Sequence, residues 1–195
     1  MSEDLFPVFL KLAGRPVLVV GAGPVAAGKI AALLPTGAEL RVVAPDISDA
    51  AAALGVAIAQ RPFTPKDLDG VWLVVAAAPP AVNRRVARAA ARRRVFVNAV
   101  DDPANASAYL GGVVRRDGVT IAISTDGRAP ALAGLLREGL GAMLPAAFDG
   151  WLRASDRLRR QWRRRATPMT SRRPELLTVL NGLYQPARAR AERTS

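Results

Sequence analysis

The sequence predicts an α/β protein built on a Rossmann-like, doubly wound parallel sheet. Over residues 16–100, short apolar runs rich in valine alternate with stretches of helical periodicity. A glycine-rich turn, GAGPVA at residues 21–26, follows the first apolar run and opens the first helical stretch. The 195 residues are 50% hydrophobic, which is enough to bury a core without disulfide or metal staples.

Each element of this fold rests on a local pattern. Continuous or β-branched apolar runs predict buried parallel strands at residues 16–20, 39–43, 56–60, 71–78 and 95–100. Helical spacing of apolar residues predicts the intervening helices at residues 24–34, 46–55 and 80–94. Crossovers between parallel strands are right-handed, which restricts the topology to a few arrangements.

The pattern changes after residue 102. Arg116-Asp117-Gly118 lies between two apolar runs and predicts the turn of a β-hairpin. Further helices are predicted at residues 130–144, 146–165 and 174–184, and residues 186–195 are expected to be disordered because they lack an apolar face. We therefore divide the chain into a nucleotide-binding domain at 1–102, a hairpin and helix segment at 103–145, a basic helical part at 146–185 and a tail at 186–195.

The chain contains neither cysteine nor histidine. This excludes disulfides, thiolate or imidazole metal sites, thiol nucleophiles and histidine bases, and we predict no metal ligands. Acid–base chemistry must therefore use Asp, Glu, Tyr, Lys or water. No apolar run reaches the length of about 18 to 20 residues that a membrane span needs, and the acidic N-terminus does not resemble a signal peptide. We expect a cytoplasmic protein with no membrane partner.

Charge is distributed unevenly along the chain. The net charge is +12, and the last 45 residues hold 12 arginines against 3 acidic residues. A basic protein attracts nucleic acid, membrane surfaces or polyanionic small molecules, and charge alone does not select among them. The run RLRRQWRRR lies in a predicted helix whose apolar side is formed by Trp151, Leu152, Leu158 and Trp162. We interpret it as a solvated amphipathic helix and expect no nucleic-acid partner.

The glycine-rich turn predicts a dinucleotide site. In the pattern G-x-G-x-x-A, Gly21 allows a tight turn, Gly23 allows the backbone to approach a pyrophosphate, and Ala26 allows helix to pack on strand. The acidic residue that usually holds the ribose of NAD is missing from the end of the second strand, and Asp46 follows slightly later. Asp46 either reaches the ribose or caps the next helix. No arginine closely follows Val43 to bind a 2′-phosphate, so NAD is favoured over NADP.

Four stretches carry a resemblance to a known family. They read FPVFLKLAGRPVLVVGAGPVAAGKIAALLPTGAELRVVAP, RPFTPKDLDGVWLVVAAAPPAVNRRVARAA, VFVNAVDDP and ISTDGRAPALAGLLREGLGAMLP. In order, and over about residues 5–145, they resemble the N-terminal domain of siroheme synthases, the family of precorrin-2 dehydrogenase and sirohydrochlorin ferrochelatase. The motifs Asn-x-Val-Asp and Gly-x-x-Pro-x-Leu-Ala are much more specific than the glycine turn.

The resemblance implies a Rossmann domain, a dimerisation segment and a helical C-terminal part. It also implies oxidation of precorrin-2 to sirohydrochlorin with NAD, and in bifunctional members the insertion of ferrous iron, which is then a substrate and not a fixed cofactor. Residues matched to the family motifs take their roles from it. Asp101 is the implied catalytic residue. The implied contacts of NAD are Pro24, Val25, Pro45 and Asp46, and the implied contacts of the tetrapyrrole are Thr125 and Arg128.

Asp101 also has a structural interpretation, as a turn or cap residue within Asp-Asp-Pro. Its place at the carboxyl end of a predicted strand, beside the expected crevice, favours catalysis, and we assign Asp102 to the turn. A carboxylate can accept the proton that leaves with a hydride, and a polycarboxylate substrate suits an arginine-rich protein. The chain departs from the family pattern at residues 78–79, 109–112 and 128–129, which bears more on iron insertion than on oxidation.

Two other functions remain open at this point. One is a Rossmann dehydrogenase acting on another small acid, and the other is a non-catalytic NAD-sensing module with a nucleic-acid-binding basic tail. Assembly is predicted separately. The hairpin at residues 107–124 has no crossover helix, and helix 130–144 carries surplus apolar side chains, so we expect a homodimer built through Leu132, Leu135, Leu136, Leu140 and Met143.

Overall fold

The computed structural model describes residues 4–144 and 148–184, which form two compact units. The first unit comprises residues 4–111 and 124–130, and the second comprises 112–123, 131–144 and 148–184. The first unit extends beyond the predicted boundary at residue 102 because the chain returns to the sheet, where Ser107 and Ala108 both donate backbone hydrogen bonds to the Val97 carbonyl. The predicted tail at 186–195 lies outside the described residues.

The first unit is a five-stranded parallel sheet in the order β3-β2-β1-β4-β5. Its strands are β1 Pro16–Val20, β2 Glu39–Ala44, β3 Ile58–Gln60, β4 Leu73–Ala76 and β5 Phe96–Ala99. Its helices are α1 Pro24–Leu33, α2 Asp49–Ala52 and α3 Pro80–Arg93. The strand order reverses between β1 and β4, which is the topology of a doubly wound sheet. The predicted Rossmann-like fold is confirmed.

The two faces of the sheet bury two apolar clusters. Leu18, Val43 and Val74 point to the face that α3 covers, where Val86 and Ala90 pack against them. On the other face Val17, Val19, Val42 and Val75 pack under Ile30 and Leu33 of α1. The central strands β1 and β4 are buried on both sides and therefore read as continuous apolar runs, whereas the edge strand β3 is largely exposed. This packing holds the carboxyl ends of β1, β4 and β5 at one edge of the sheet.

One connection is shorter than predicted, and another contains a turn that the sequence analysis did not predict. α2 has four residues instead of the ten predicted at 46–55, because Ser48 caps the helix and Gly55 takes a left-handed conformation with φ of 66°. The crossover from β3 to β4 contains no α-helix but a 3-10 turn at Pro65–Leu68. The β2–β3 half of the sheet therefore has thinner cover on the α3 face.

The second unit contains a hairpin and three helices. Strands β6 Gly112–Arg116 and β7 Val119–Ile123 pair antiparallel, and φ is positive at both Asp117 and Gly118, as a type I′ turn requires. The helices are α4 Pro130–Met143, α5 Phe148–Arg165 and α6 Met169–Tyr184. Gly112 lies so close to α4 that a Cβ there would be 2.8 Å from the Ala133 carbonyl oxygen. The hairpin predicted around Asp117-Gly118 is present, since β6 and β7 pair on either side of that turn.

The last two helices pack on each other through polar contacts as well as apolar ones. The Trp162 indole donates a 2.7 Å hydrogen bond to Glu175, and the Arg172 guanidinium donates to the Thr167 carbonyl oxygen. α6 begins at residue 169, so Pro174 lies inside the helix instead of opening it as predicted. No single helix among the described residues is both long and apolar enough to cross a bilayer.

Candidate functional site

The glycine-rich turn begins where β1 ends. Gly21 has a φ of 111°, a conformation that residues with a side chain rarely adopt. A Cβ on Gly21 would lie 2.2 Å from the Ala77 carbonyl oxygen, which belongs to the turn after β4. Gly21 is therefore required by close packing between two loops at the point where the strand order reverses.

Gly23 has a different environment. It is the N-cap of α1, with extended backbone, and a Cβ built on it would meet no atom within 4 Å. No side chain caps α1, Pro24 occupies its first turn, and that turn contains no acidic residue. A helix N-terminus with free amide groups attracts anions. The open space beside Gly23 therefore fits the pyrophosphate of a dinucleotide.

The loop after β2 settles the two interpretations of Asp46. Ser48 caps α2, since its Oγ accepts a hydrogen bond from the Ala51 amide at 3.3 Å. Pro45 and Asp46 are exposed before the cap, and within the described residues the Asp46 carboxylate makes no hydrogen bond or ion pair. The helix-capping interpretation of Asp46 is therefore wrong, and its carboxylate is available to a ligand.

The loop after β5 carries two adjacent aspartates in different states. Asp101 is exposed and left-handed, with a φ of 56°, and no group in the described part of the chain hydrogen-bonds to its carboxylate. Asp102 instead accepts two hydrogen bonds from the Asn105 side-chain amide, at 3.0 and 2.8 Å, and opens the 3-10 turn Pro103–Asn105. Asp102 is thus the turn residue, and Asp101 projects an unengaged carboxylate.

The base of this loop is closed by hydrogen bonds to β5. Besides the two backbone bonds to the Val97 carbonyl, the Ser107 hydroxyl accepts from the Val97 amide at 2.9 Å. The Asn98 side-chain amide donates to the Ala108 carbonyl oxygen at 3.0 Å. Asn98 is buried, and its Oδ1 finds no partner among the described residues. Asp101 therefore lies on a loop whose two ends are held together.

A second loop, residues 124–130, packs on the first. Gly127 is left-handed, and a Cβ on it would lie 2.9 Å from Pro103 Cγ and 3.2 Å from Tyr109 Cε1. The loop also ties itself together, because the Thr125 hydroxyl accepts from the Ala129 amide at 3.3 Å. This packing brings the loop that carries Thr125 and Arg128 next to Pro103, two residues after Asp101.

Two polar residues that the sequence did not single out hold the glycine turn. The Ser48 amide and hydroxyl both donate to the Ala22 carbonyl oxygen, and the buried Asn83 accepts from the Ala78 amide at 3.0 Å. Asn83 fixes the turn whose Ala77 carbonyl packs on Gly21. Its signal in the sequence is a polar residue on the otherwise apolar face of a helix, between Val82 and Val86.

The carboxyl edge of the sheet brings these parts together. β4 lies between β1 and β5, so the ends of β1 and β5 are two strand spacings apart, about 10 Å. Ligands of doubly wound sheets bind in the crevice where the strand order reverses, which here is between β1 and β4. Among the described residues, no three or more His, Cys, Asp or Glu cluster as metal ligands would.

Comparison with known proteins agrees with this geometry. NAD_binding_7, a family model for NAD(P)-binding domains, matches residues 8–112. Siroheme synthase 3 of Aeromonas hydrophila is 43% identical over 161 residues, which cover 77% of this chain and 34% of that protein. A siroheme synthase of Photorhabdus laumondii is 38% identical over 186 residues, covering 93% of this chain and 40% of the relative. The chain thus spans between a third and two fifths of the length of these relatives.

A solved structure is similar over nearly the whole chain. SirC, a precorrin-2 dehydrogenase, superposes with a TM-score of 0.68 at 26% identity, covering 90% of this chain and 89% of SirC. The resemblance inferred from the sequence motifs is therefore confirmed. The family match extends over more than half of the chain and includes both the glycine turn and the Asp101 loop. We conclude that the chain belongs to this family of NAD(P)-binding domains.

Proposed function

We propose that this protein is an NAD-dependent precorrin-2 dehydrogenase, which oxidises precorrin-2 to sirohydrochlorin. The observation that carries the proposal is the Asp101 carboxylate. No described group hydrogen-bonds to it, its residue has a left-handed backbone, and it lies after β5 at the same edge of the sheet as the glycine turn. A non-glycine residue held in this conformation marks a position whose geometry the surrounding structure imposes. The similarity to siroheme synthases and to SirC supports the choice of substrate.

The cofactor would be held by the glycine turn and the loop after β2. Gly21 makes the tight turn that leads into α1, Gly23 gives the backbone access to the pyrophosphate, Pro24 and Val25 line the start of α1, and Pro45 and Asp46 would face the ribose. NAD supplies a hydride acceptor. Exposed Val25 at the first turn is consistent with a surface that a cofactor covers.

Oxidation removes two hydrogens from the substrate, one as a hydride and one as a proton. The hydride leaves with its electron pair for the cofactor, and the proton needs a base. We assign that role to Asp101, because the chain has no histidine or cysteine and because its carboxylate has no other partner among the described residues. Arg128 and Thr125, on the loop packed against Pro103, would bind carboxylates of the tetrapyrrole.

The proposal is tested by anaerobic incubation with precorrin-2 and NAD, followed by absorbance. Asp101→Asn keeps the shape and the left-handed conformation but cannot accept a proton, so sirohydrochlorin formation should fall by about 10² to 10⁴. NAD binding and folding should be retained. Asp102→Asn is the matched control, since that carboxylate already pairs with Asn105, and it should keep most of the activity. An Asp101→Asn protein that turns over near the parental rate would reduce Asp101 to a turn residue.

We further propose that NAD binds more tightly than NADP. Asp46 lies free on the ribose side, where it would accept hydrogen bonds from the ribose hydroxyls and repel a 2′-phosphate. Calorimetry should show the NAD preference, and Asp46→Ala should weaken NAD binding by about tenfold while improving NADP relative to it. Asp49→Ala, in the first turn of α2, is the control and should change neither affinity. Tighter binding of NADP to the parent protein would reject this assignment.

Insertion of ferrous iron into sirohydrochlorin is a second candidate activity. It is favoured by the siroheme synthase relatives and by the free carboxylate of Asp101, which would accept the two pyrrolic protons one after the other, releasing the first to water before it takes the second. The same absorbance assay with added ferrous iron tests it. When sirohydrochlorin itself is supplied with ferrous iron, so that the oxidation step is bypassed, siroheme formation that exceeds the rate without protein and is lost in Asp101→Asn supports a bifunctional enzyme. Accumulation of sirohydrochlorin in the parent protein assigns insertion to a separate chelatase.

A further inference from the structure

Ser48 makes an unusual pair of hydrogen bonds to the glycine turn. The Ala22 carbonyl oxygen accepts from the Ser48 amide at 3.0 Å and from the Ser48 hydroxyl at 2.7 Å. The same hydroxyl oxygen accepts from the Ala51 amide and so caps α2. One side chain thus connects the middle residue of the G-A-G turn to the loop that carries Asp46.

These bonds determine which way the Ala22–Gly23 peptide faces. In a trans peptide the carbonyl oxygen and the amide hydrogen point in opposite directions. Since the Ala22 carbonyl points to Ser48, the Gly23 amide points away from it, and no backbone acceptor within the described residues engages that amide. The side of Gly23 that a Cβ would occupy is open, with no atom within 4 Å.

Packing around this peptide leaves the orientation to hydrogen bonding. Ala22 is buried in a small cluster with Ala27, Ala44 and Ala51. Leu54 and Ile58 pack against the same cluster, and both hydrogen bonds that the Ala22 carbonyl accepts from described residues come from Ser48. Without the Ser48 hydroxyl, the Ala22 carbonyl would retain one hydrogen bond instead of two.

We infer that Ser48 is a positioning residue of the cofactor site, which holds the Ala22–Gly23 peptide with its amide turned toward the pyrophosphate. The inference deepens the proposed function but needs only its NAD-binding part, and it does not depend on the identity of the substrate. Ser48 also connects the glycine turn to the ribose side of the site, because it lies two residues after Asp46, the carboxylate assigned to the ribose.

The test compares NAD affinity with stability. Ser48→Ala should weaken NAD binding by about three- to tenfold, the usual effect of losing one hydrogen bond, and Ser48→Thr, which keeps the hydroxyl, should restore it. In turnover assays KM for NAD should rise and kcat at saturating NAD should stay within twofold, because binding is lost equally in the ground and transition states. Ser48→Gly covers the case in which the alanine variant folds poorly, since glycine is accepted at N-caps.

Thr64→Ala is the matched control. Thr64 caps the 3-10 turn in the β3–β4 crossover and makes no hydrogen bond to the glycine turn, so its loss should lower thermal stability without changing NAD affinity. Parental NAD affinity in both Ser48→Ala and Ser48→Gly would overturn the inference, as would failure of threonine to restore binding. Calorimetry with NAD alone tests the role of Ser48 without precorrin-2. A lack of precorrin-2 oxidation would reject the dehydrogenase proposal and leave this inference standing.

Discussion

At the scale of single residues, the two glycines of the turn have separate tasks. Gly21 is enclosed by protein, in a conformation that excludes most side chains and against the Ala77 carbonyl. A Cβ built on Gly23 would meet no atom within 4 Å, and the backbone there is extended. The same residue type in the motif therefore meets a folding requirement at the first position and leaves open space, which fits a ligand, at the second.

We predict that substitutions at these glycines separate stability from binding. Gly21→Ala should lower the free energy of unfolding by roughly 2 to 4 kcal/mol, because the Cβ overlaps a backbone carbonyl and φ is unfavourable. Gly23→Val should unfold like the parent in urea but lose measurable binding of NAD and NADP, because its side chain fills the pyrophosphate position. Urea denaturation and calorimetry on both variants check this. Gly23→Val that binds NAD normally would place the pyrophosphate elsewhere.

The aspartates follow the same division of tasks. Three of the five left-handed non-glycine residues in the described part of the chain are aspartates, a residue type that tolerates this conformation. Asp117 serves the hairpin turn, whereas Asp101 and Asp126 lie on the two loops that pack together at the candidate site. Asp102, with ordinary negative φ and a firm partner in Asn105, shows that a local turn does not need the Asp101 carboxylate.

At the scale of elements, the β3–β4 crossover depends on one ion pair. The Arg61 guanidinium donates hydrogen bonds of 2.9 and 2.6 Å to Asp67, and the Thr64 amide donates a third. These bonds, those from Arg61 above all, lower the pKa of the Asp67 carboxyl, while burial opposes the shift. The ionised form of Asp67 thus closes the capping box of a turn that replaces a whole crossover helix.

The stabilisation should depend on pH with a defined sign. A carboxyl whose pKa is lower folded than unfolded stabilises above its unfolded pKa, about 4, and loses that contribution as pH falls further. Asp67→Asn should therefore lower the free energy of unfolding by about 1 kcal/mol at pH 7, with the difference from the parent shrinking below pH 4. Urea titrations at several pH values measure it. Asp69→Asn, which breaks an exposed pair with Arg93, should change little at any pH.

The elements show what a sequence can and cannot specify here. Strands with two buried faces and the Asp117-Gly118 turn have local signals, and their positions were predictable to within a few residues. α2 was predicted too long, because the helix begins only after the Ser48 cap and the chain turns left-handed at Gly55. The packing of Gly127 on Pro103 and Tyr109 has no local signal at all, since it is decided by tertiary contact.

At the scale of the whole molecule, charge and apolar surface lie on different helices. α5 buries Ala154 and Leu158, whereas its arginines at Arg153, Arg157, Arg160 and Arg164 are exposed. Apart from the bond between Arg153 and Asp149, none of these four forms an ion pair with a described residue. The arrangement matches a solvated amphipathic helix whose positive field attracts anions.

α4 has the opposite character, because much of its apolar side is uncovered. Leu132, Leu135, Leu136 and Met143 are 49%, 66%, 44% and 77% exposed, and only Ala133 of this helix is buried. Contiguous apolar surface of this kind is uncommon on monomers and marks contact surfaces. We therefore propose that the protein is a homodimer in which α4 of each chain is covered.

We predict that light scattering at micromolar concentration gives the mass of a dimer. Leu135→Glu together with Leu136→Glu should give a folded monomer, because these exposed side chains contribute little to the packing of a single chain; its thermal stability should fall only by what the dimer contact contributes. Leu177→Glu on α6, with 49% exposure, is the matched control and should remain dimeric.

Two chains of net charge +12 repel each other, so the dimer should dissociate more readily at low ionic strength than at high. A monomer mass for the parent at every salt concentration would leave the apolar side of α4 without a partner copy and reject the dimer.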